Sequence, residues 1–109
     1  MYAVFRETTY PSDISIAETA QFQEFQRAHA DRPGYVGTVV AQVGGGRYLT
    51  VTLWDTAEHM DAARESIGPI AARLLNPMMT TPSVLHGTGP VVVNDLVPAS
   101  GATDQRADI

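Results

Sequence analysis

Hydrophobic spacing divides the chain into six elements. Residues Tyr2 to Thr9 carry β-branched and aromatic side chains and stop at Tyr10-Pro11-Ser12, which predicts a strand ended by a turn. From Ile14 to Ala30 the apolar positions Ile14, Ala17, Phe22, Phe25 and Ala28 share one broad helical face. Ser15 and Glu18 stand at the spacing of a capping box, and Arg32-Pro33-Gly34 closes this helix. Tyr35 to Val43 and Arg47 to Trp54 then read as two strands joined by Gly44-Gly45-Gly46. An all-glycine loop supplies the positive φ angles of a tight reversal. No lysine follows it and no helix opens after it, so it reads as a hairpin turn and not as a phosphate cradle.

After Trp54, Asp55-Thr56-Ala57-Glu58 is a helix start with acidic groups at the positive end of the dipole. Ala57, Met60, Ala63, Arg64 and Ile67 follow helical spacing. Gly68-Pro69 is expected to interrupt the helix, with Ile70 to Leu75 a short second piece. A final strand is expected from Ser83 to Val97, bent at Gly87 and Gly89. Residues 98–109 are small and polar and are expected to form a mobile tail beyond a single domain over residues 1–97.

The order β-α-β-β-α-β predicts an α+β, ferredoxin-like fold: a four-stranded antiparallel sheet with both helices on one face. Such a sheet alternates apolar and polar residues when its other face meets water. Here Arg47 to Trp54 puts Leu49, Val51 and Leu53 on one face and Tyr48, Thr50, Thr52 and Trp54 on the other. Val91-Val92-Val93 has no polar position at all. Both faces therefore read as buried, one under the helices and the other against an identical subunit.

Charge narrows the partners. The net charge is −5, and all seven basic residues are arginines scattered along the chain. Without a basic cluster the chain lacks the footprint that a phosphate backbone requires, so nucleic acid is not an expected partner. With no cysteine there is no disulfide, thiolate metal site or thiol nucleophile. No apolar run approaches the ~20 residues that span a bilayer. The first residues form no charged leader, which sets a cytoplasmic location as the expectation.

Arg6 in the first strand, Arg32-Pro33-Gly34-Tyr35 before the hairpin, and Tyr48-Leu49-Thr50-Val51-Thr52-Leu53-Trp54-Asp55-Thr56 closing the third strand form a pattern. Over residues 1–97 it resembles the antibiotic biosynthesis monooxygenase family, the dimeric α/β barrel proteins. The resemblance implies a homodimer and a pocket for a small aromatic molecule between helices and sheet. Members include cofactor-independent oxygenases of aromatic polyketides, quinol oxygenases, haem-degrading enzymes and proteins of no known reaction. In the cofactor-free oxygenases a third-strand tryptophan and an asparagine four residues earlier bind or activate the substrate. Trp54 matches the tryptophan, whereas the asparagine position is Thr50, which offers no amide. In the haem-degrading branch an iron-ligating histidine sits on the last helix and an asparagine in the first strand. Those positions fall on Arg73 and Phe5, so the resemblance calls for no cofactor and no metal.

The site expected from these readings has Trp54 and His86 as catalytic residues. Trp54 serves as a flat aromatic wall with an indole donor. His86, on the last strand, is the candidate general base because imidazole titrates near neutrality. His29 and His59, at helix ends, read as surface residues. Tyr48, Thr50 and Thr52 share the Trp54 face and are assigned to substrate binding, as are Phe5 and Arg73, the latter for an anionic or phenolic oxygen. The reaction expected is oxidation of a phenol, quinol or anthrone by dioxygen. A non-catalytic dimer that binds a small ligand, and a polyketide-type isomerase or cyclase, are the alternatives.

Overall fold

The computed structural model describes residues 1–96. The elements are β1 (Tyr2–Thr9), a 3₁₀ turn (Ile16–Glu18), α1 (Ala20–Ala30), β2 (Tyr35–Gly44), β3 (Arg47–Trp54), α2 (Ala57–Leu74), a 3₁₀ turn (Asn76–Met78) and β4 (Thr81–Pro90). The four strands form one antiparallel sheet in the order β2-β3-β1-β4. This is the expected α+β, ferredoxin-like arrangement, with β1 and β3 at the centre and α1 and α2 over one face.

The hairpin forms as read: Gly44, Gly45 and Gly46 all take positive φ, at 98°, 64° and 77°. Gly46 is also pressed against the backbone of Tyr10, whose N–H donates to the Gly46 carbonyl at 2.9 Å. A side chain there would meet both the wrong φ and the next strand's end.

Three boundaries differ from the sequence expectation. The first helix is split, and its α-helical part starts at Thr19, whose hydroxyl accepts from the Phe22 N–H at 3.2 Å. Ser15 makes no side-chain cap. Two candidate caps four residues apart compete, and the one adjoining the cavity-facing run Phe22–Phe25 prevails. The second helix runs unbroken through Gly68-Pro69. Proline excludes its predecessor from helical geometry partly by striking that residue's Cβ, and Gly68 has none. Met60, Ala63, Ile67 and Leu74, buried on both sides of the proline, hold the helix to the core. Finally, β4 ends at Pro90, which pairs with Tyr2, where its partner strand begins. With no strand left to pair, Val92 and Val93 are 89% and 78% exposed. The remainder of the predicted strand end, Val97, and the predicted tail lie outside the described residues.

The core consists of two packed ends. Val4, Trp54, Met60 and Ala63 form one, with Tyr2 and Tyr35 beside them. Tyr10, Ile16 and Tyr48 form the other, backed by Phe22, Met78 and Met79. No residue of α1 is fully buried. Its apolar face looks onto the space between the two ends, and that space is the candidate site.

Candidate functional site

Side chains of alternate residues share a sheet face, so Val4, Arg6 and Thr8 of β1 point to the helices together with Tyr48, Thr50, Thr52 and Trp54 of β3. The register sets them in rows. Tyr2 lies opposite Trp54, Val4 opposite Thr52, Arg6 opposite Thr50, and Thr8 opposite Tyr48. On the other side of β3, Thr38 pairs with Thr52 and Val40 with Thr50. These rows floor a cavity of about 670 Å³, roofed by Phe22, Phe25, Gln26 and His29 of α1 and by Ala63, Arg64 and Ile67 of α2. The volume lies within the roughly 300–1,000 Å³ of small-molecule sites.

One end of the cavity is an aromatic cage. Trp54 is 2% exposed. The His29 ring sits 5.5 Å from it, 5.2 Å from Phe25 and 5.6 Å from Tyr35, while Tyr35 meets the indole edge-on at 5.6 Å. Burial pushes the His29 imidazole down to about 4, so the ring is neutral at physiological pH. Its Nδ1 is sealed from solvent with no hydrogen-bond partner among the described residues. His29 is thus a cavity residue and not the surface residue expected from its place near a helix end.

Beside the cage the polar groups are mostly satisfied by one another. The Tyr35 hydroxyl donates to Thr38 Oγ1 at 2.8 Å, and Thr38 Oγ1 donates to Thr52 Oγ1 at 3.4 Å. This chain explains why Thr52 can be buried. At the far end Tyr10 and Tyr48 pack edge to face at 5.6 Å, and burial raises the Tyr10 phenol. Between the ends stands Arg6, half-buried, with a single side-chain hydrogen bond among the described residues, from its Nη1 to Ser83 Oγ at 3.1 Å. Burial, and then the charge of Arg64, hold its guanidinium below the ordinary arginine range.

The structure therefore gathers Trp54, Tyr48, Thr50 and Thr52, and leaves three expected site residues elsewhere. Phe5 is an odd-numbered residue of β1 and lies on the outer face, 49% exposed. His86 lies there too, exposed, with Nε2 3.0 Å from Glu7 Oε1; Arg47 Nε donates to the other oxygen of Glu7 at 2.8 Å. The β4 register shifts between Phe5 and Arg6, so alternation counted along β4 does not fix its face. Arg73 leaves the cavity because α2 turns it toward α1, where its Nη2 donates to Glu24 Oε2 at 3.0 Å. Arg6 and His29 are the residues that the site reading missed. Their signals were present: Arg6 alternates with Val4 and Thr8, and His29 continues the helical face of Phe22 and Phe25.

No family model and no curated protein sequence matches the chain. Solved structures do. A variant of SnoaB, a cofactor-independent oxygenase from Streptomyces nogalater, superposes with a TM-score of 0.66 at 17% identity, covering 85% of this chain and 94% of that one. A structure named antibiotic biosynthesis monooxygenase gives 0.63 at 13% identity, covering 85% and 100%. A variant of MhuD with two manganese protoporphyrin IX bound per active site gives 0.64 at 22% identity, covering 86% and 97%. The β-α-β-β-α-β chain described here thus has the fold of the antibiotic biosynthesis monooxygenase structures, as its sequence resemblance implies.

Proposed function

We propose that this protein is a cofactor-independent monooxygenase that oxidises a small electron-rich aromatic molecule, of the phenol, quinol or anthrone class, with dioxygen. The observation that carries this reading is the cavity itself. It is largely apolar, of ligand size, walled at one end by Trp54 and a neutral His29, and lined by threonine hydroxyls. SnoaB, whose fold the chain shares, is a cofactor-independent oxygenase, and its likeness supports the same reading.

The chemistry asks little of the protein. In an anthrone the CH₂ across the ring from the carbonyl loses a proton to give a delocalised anion, which transfers electrons to dioxygen and forms a C–OOH group. Loss of the second C–H proton with cleavage of the O–O bond leaves C=O and water, so CH₂ + O₂ gives C=O + H₂O and no external reductant enters. The chain must orient the ring and exclude water while the two C–H protons leave in turn. Trp54 offers its face to the ring, Thr50 offers a hydroxyl from the adjoining floor, and the neutral His29 packs beside the indole as part of the apolar wall. His29, and not His86, is the imidazole that lines this cavity.

The protein acts as a homodimer in this reading. Phe5, Val39, Leu49 and Val84 are 49%, 54%, 40% and 49% exposed on the strands, an apolar surface of the kind that marks an interface. A second sheet of the same shape is the cover that fits it.

Oxygen uptake by metal-free protein with anthrones and naphthoquinols tests the function. Saturable uptake above the spontaneous rate, lowered in Trp54→Phe, is the expected result. Ligand-dependent quenching of Trp54 with no uptake assigns the cavity to binding alone. Product formation without oxygen consumption assigns it to an isomerase or cyclase.

A further inference from the structure

The cavity is lined by positive charge with no acidic side chain among the described lining residues. Among the described residues that line it are two arginines, Arg6 and Arg64, and no aspartate or glutamate. This is not a trivial consequence of composition, because the whole chain is acidic, with twelve Asp and Glu against seven Arg. The two arginines differ. Arg64 is exposed and has Asp61 one turn back, 3.7 Å from its Nη1. Arg6 is half-buried, and among the described residues it makes no ion pair. Its one side-chain partner is the neutral Ser83.

A guanidinium has five N–H donors in a planar fork that matches a carboxylate. Burying such a group without an anion is costly, and that cost has a clear remedy in a ligand. Burial and the charge of Arg64 already weaken the proton's hold on Arg6, the direction that an added anion reverses. Position agrees with this. Arg6 is opposite Thr50, and Thr50 is four residues from Trp54, about 13 Å along the strand. That is the length of a fused two- or three-ring system with one substituent.

Resting on the reading of this cavity as the substrate site, we infer that the substrate is an aromatic carboxylic acid. Its ring system reaches the cage of Trp54 and His29, and its carboxylate is held by the Arg6 fork, with Arg64 at the rim adding charge. Arg6 is then the residue that selects acids over neutral analogues.

Trp54 is the chain's only tryptophan and lines the cavity, so its emission reports occupancy directly. The probes are anthraquinone-2-carboxylate and its neutral twin anthraquinone-2-carboxamide, neither of which can be oxidised in the proposed reaction. The carboxylate is expected to bind at least about tenfold more tightly, the value of one charge-assisted pair. In Arg6→Gln that preference falls to within about twofold, while carboxamide binding persists and shows that the pocket still folds. Arg6→Lys, which keeps the charge and loses the fork, should recover part of it. Arg27→Gln, on the exposed side of α1, should keep all of it. Equal binding of the two probes to the unaltered protein, or a preference that survives Arg6→Gln, overturns the inference and leaves the substrate site standing. Quenching by neither probe overturns the reading of the site as well.

Discussion

Protonating His29 should destabilise this protein well above the pH at which its carboxylates titrate. The imidazole falls from its ordinary 6.5 to about 4 because the aromatic cage desolvates the charged form. The folded state therefore binds fewer protons than the unfolded chain between those two values, and stability must drop as pH falls through that window. A shift of that size corresponds to at most ~3 kcal/mol once pH is below 4, and to ~2 kcal/mol already at pH 5. For a domain of this size ~2 kcal/mol lowers the melting temperature by on the order of 10 °C. Glu7 and Asp55 also have depressed carboxyls, each chiefly through its side-chain hydrogen bond, from Arg47 and from His59 respectively. Their ordinary values of 4.5 and 3.8 place their loss of stability lower, so pH 7 to 5 isolates the histidine. Thermal melts over that range, on the protein and on His29→Phe, are the assay. The variant should flatten most of the dependence, and the imidazole proton resonances of His29 should stay fixed down to pH 5. A His29 resonance that titrates near 6.5 would refute the buried cage.

Trp54→Phe should lose ~1–3 kcal/mol of stability by leaving a cavity in the packed end, and should lower the saturating rate of oxygen uptake. Thr52→Val should cost ~1 kcal/mol in denaturant melts, because it breaks the chain from Tyr35 through Thr38 without changing shape. Light scattering should give twice the 11.7 kDa chain mass, and Leu49→Glu, which puts charge on the outer face, should halve it without changing far-ultraviolet dichroism. Gly46→Ala should be more damaging than Gly45→Ala in the same melts, since only the former also strikes the Tyr10 backbone.

Period-two patterning was enough to read the central strands. The face shared by Tyr48, Thr50, Thr52 and Trp54 is a local property of β3, and these four residues do line the cavity. The glycine triplet was equally local. Where the outcome depended on a neighbour, the sequence misled. Pro69 stops an isolated helix, but the burial of Ile67 and Leu74 carries α2 past it. Val91–Val93 has strand propensity, but beyond Val91, whose N–H donates to the Met1 carbonyl, no described strand is left to pair with it. His29 reads as a helix-end cation until the sheet places Trp54 and Tyr35 around it. Arg6 was legible as a residue on the Val4 and Thr8 face, yet that it has no ion pair among the described residues is known only once every element around it is in place.

The sheet explains why so few residues suffice. Each central strand serves two surfaces through one alternation, so a residue's parity decides its chemistry. The inner positions of β3 are two threonines between two aromatics, and threonine suits a strand as a β-branched residue while leaving a hydroxyl for the cavity. The outer positions after Arg47, which pairs with Glu7, are Leu49, Val51 and Leu53, and these three offer no polar group. The same split runs through β1, where Arg6 faces in and Phe5 and Glu7 face out. A one-residue slip of β1 would exchange the guanidinium for a phenyl ring or a carboxylate, and one of β3 would turn the threonines outward. The bulge in β4, placed where Phe5 gives way to Arg6, takes up its irregularity in the edge strand and leaves the β1–β3 register unbroken. The site is therefore fixed by the pairing of two uninterrupted central strands, and the less buried α1 joins α2 to supply its roof.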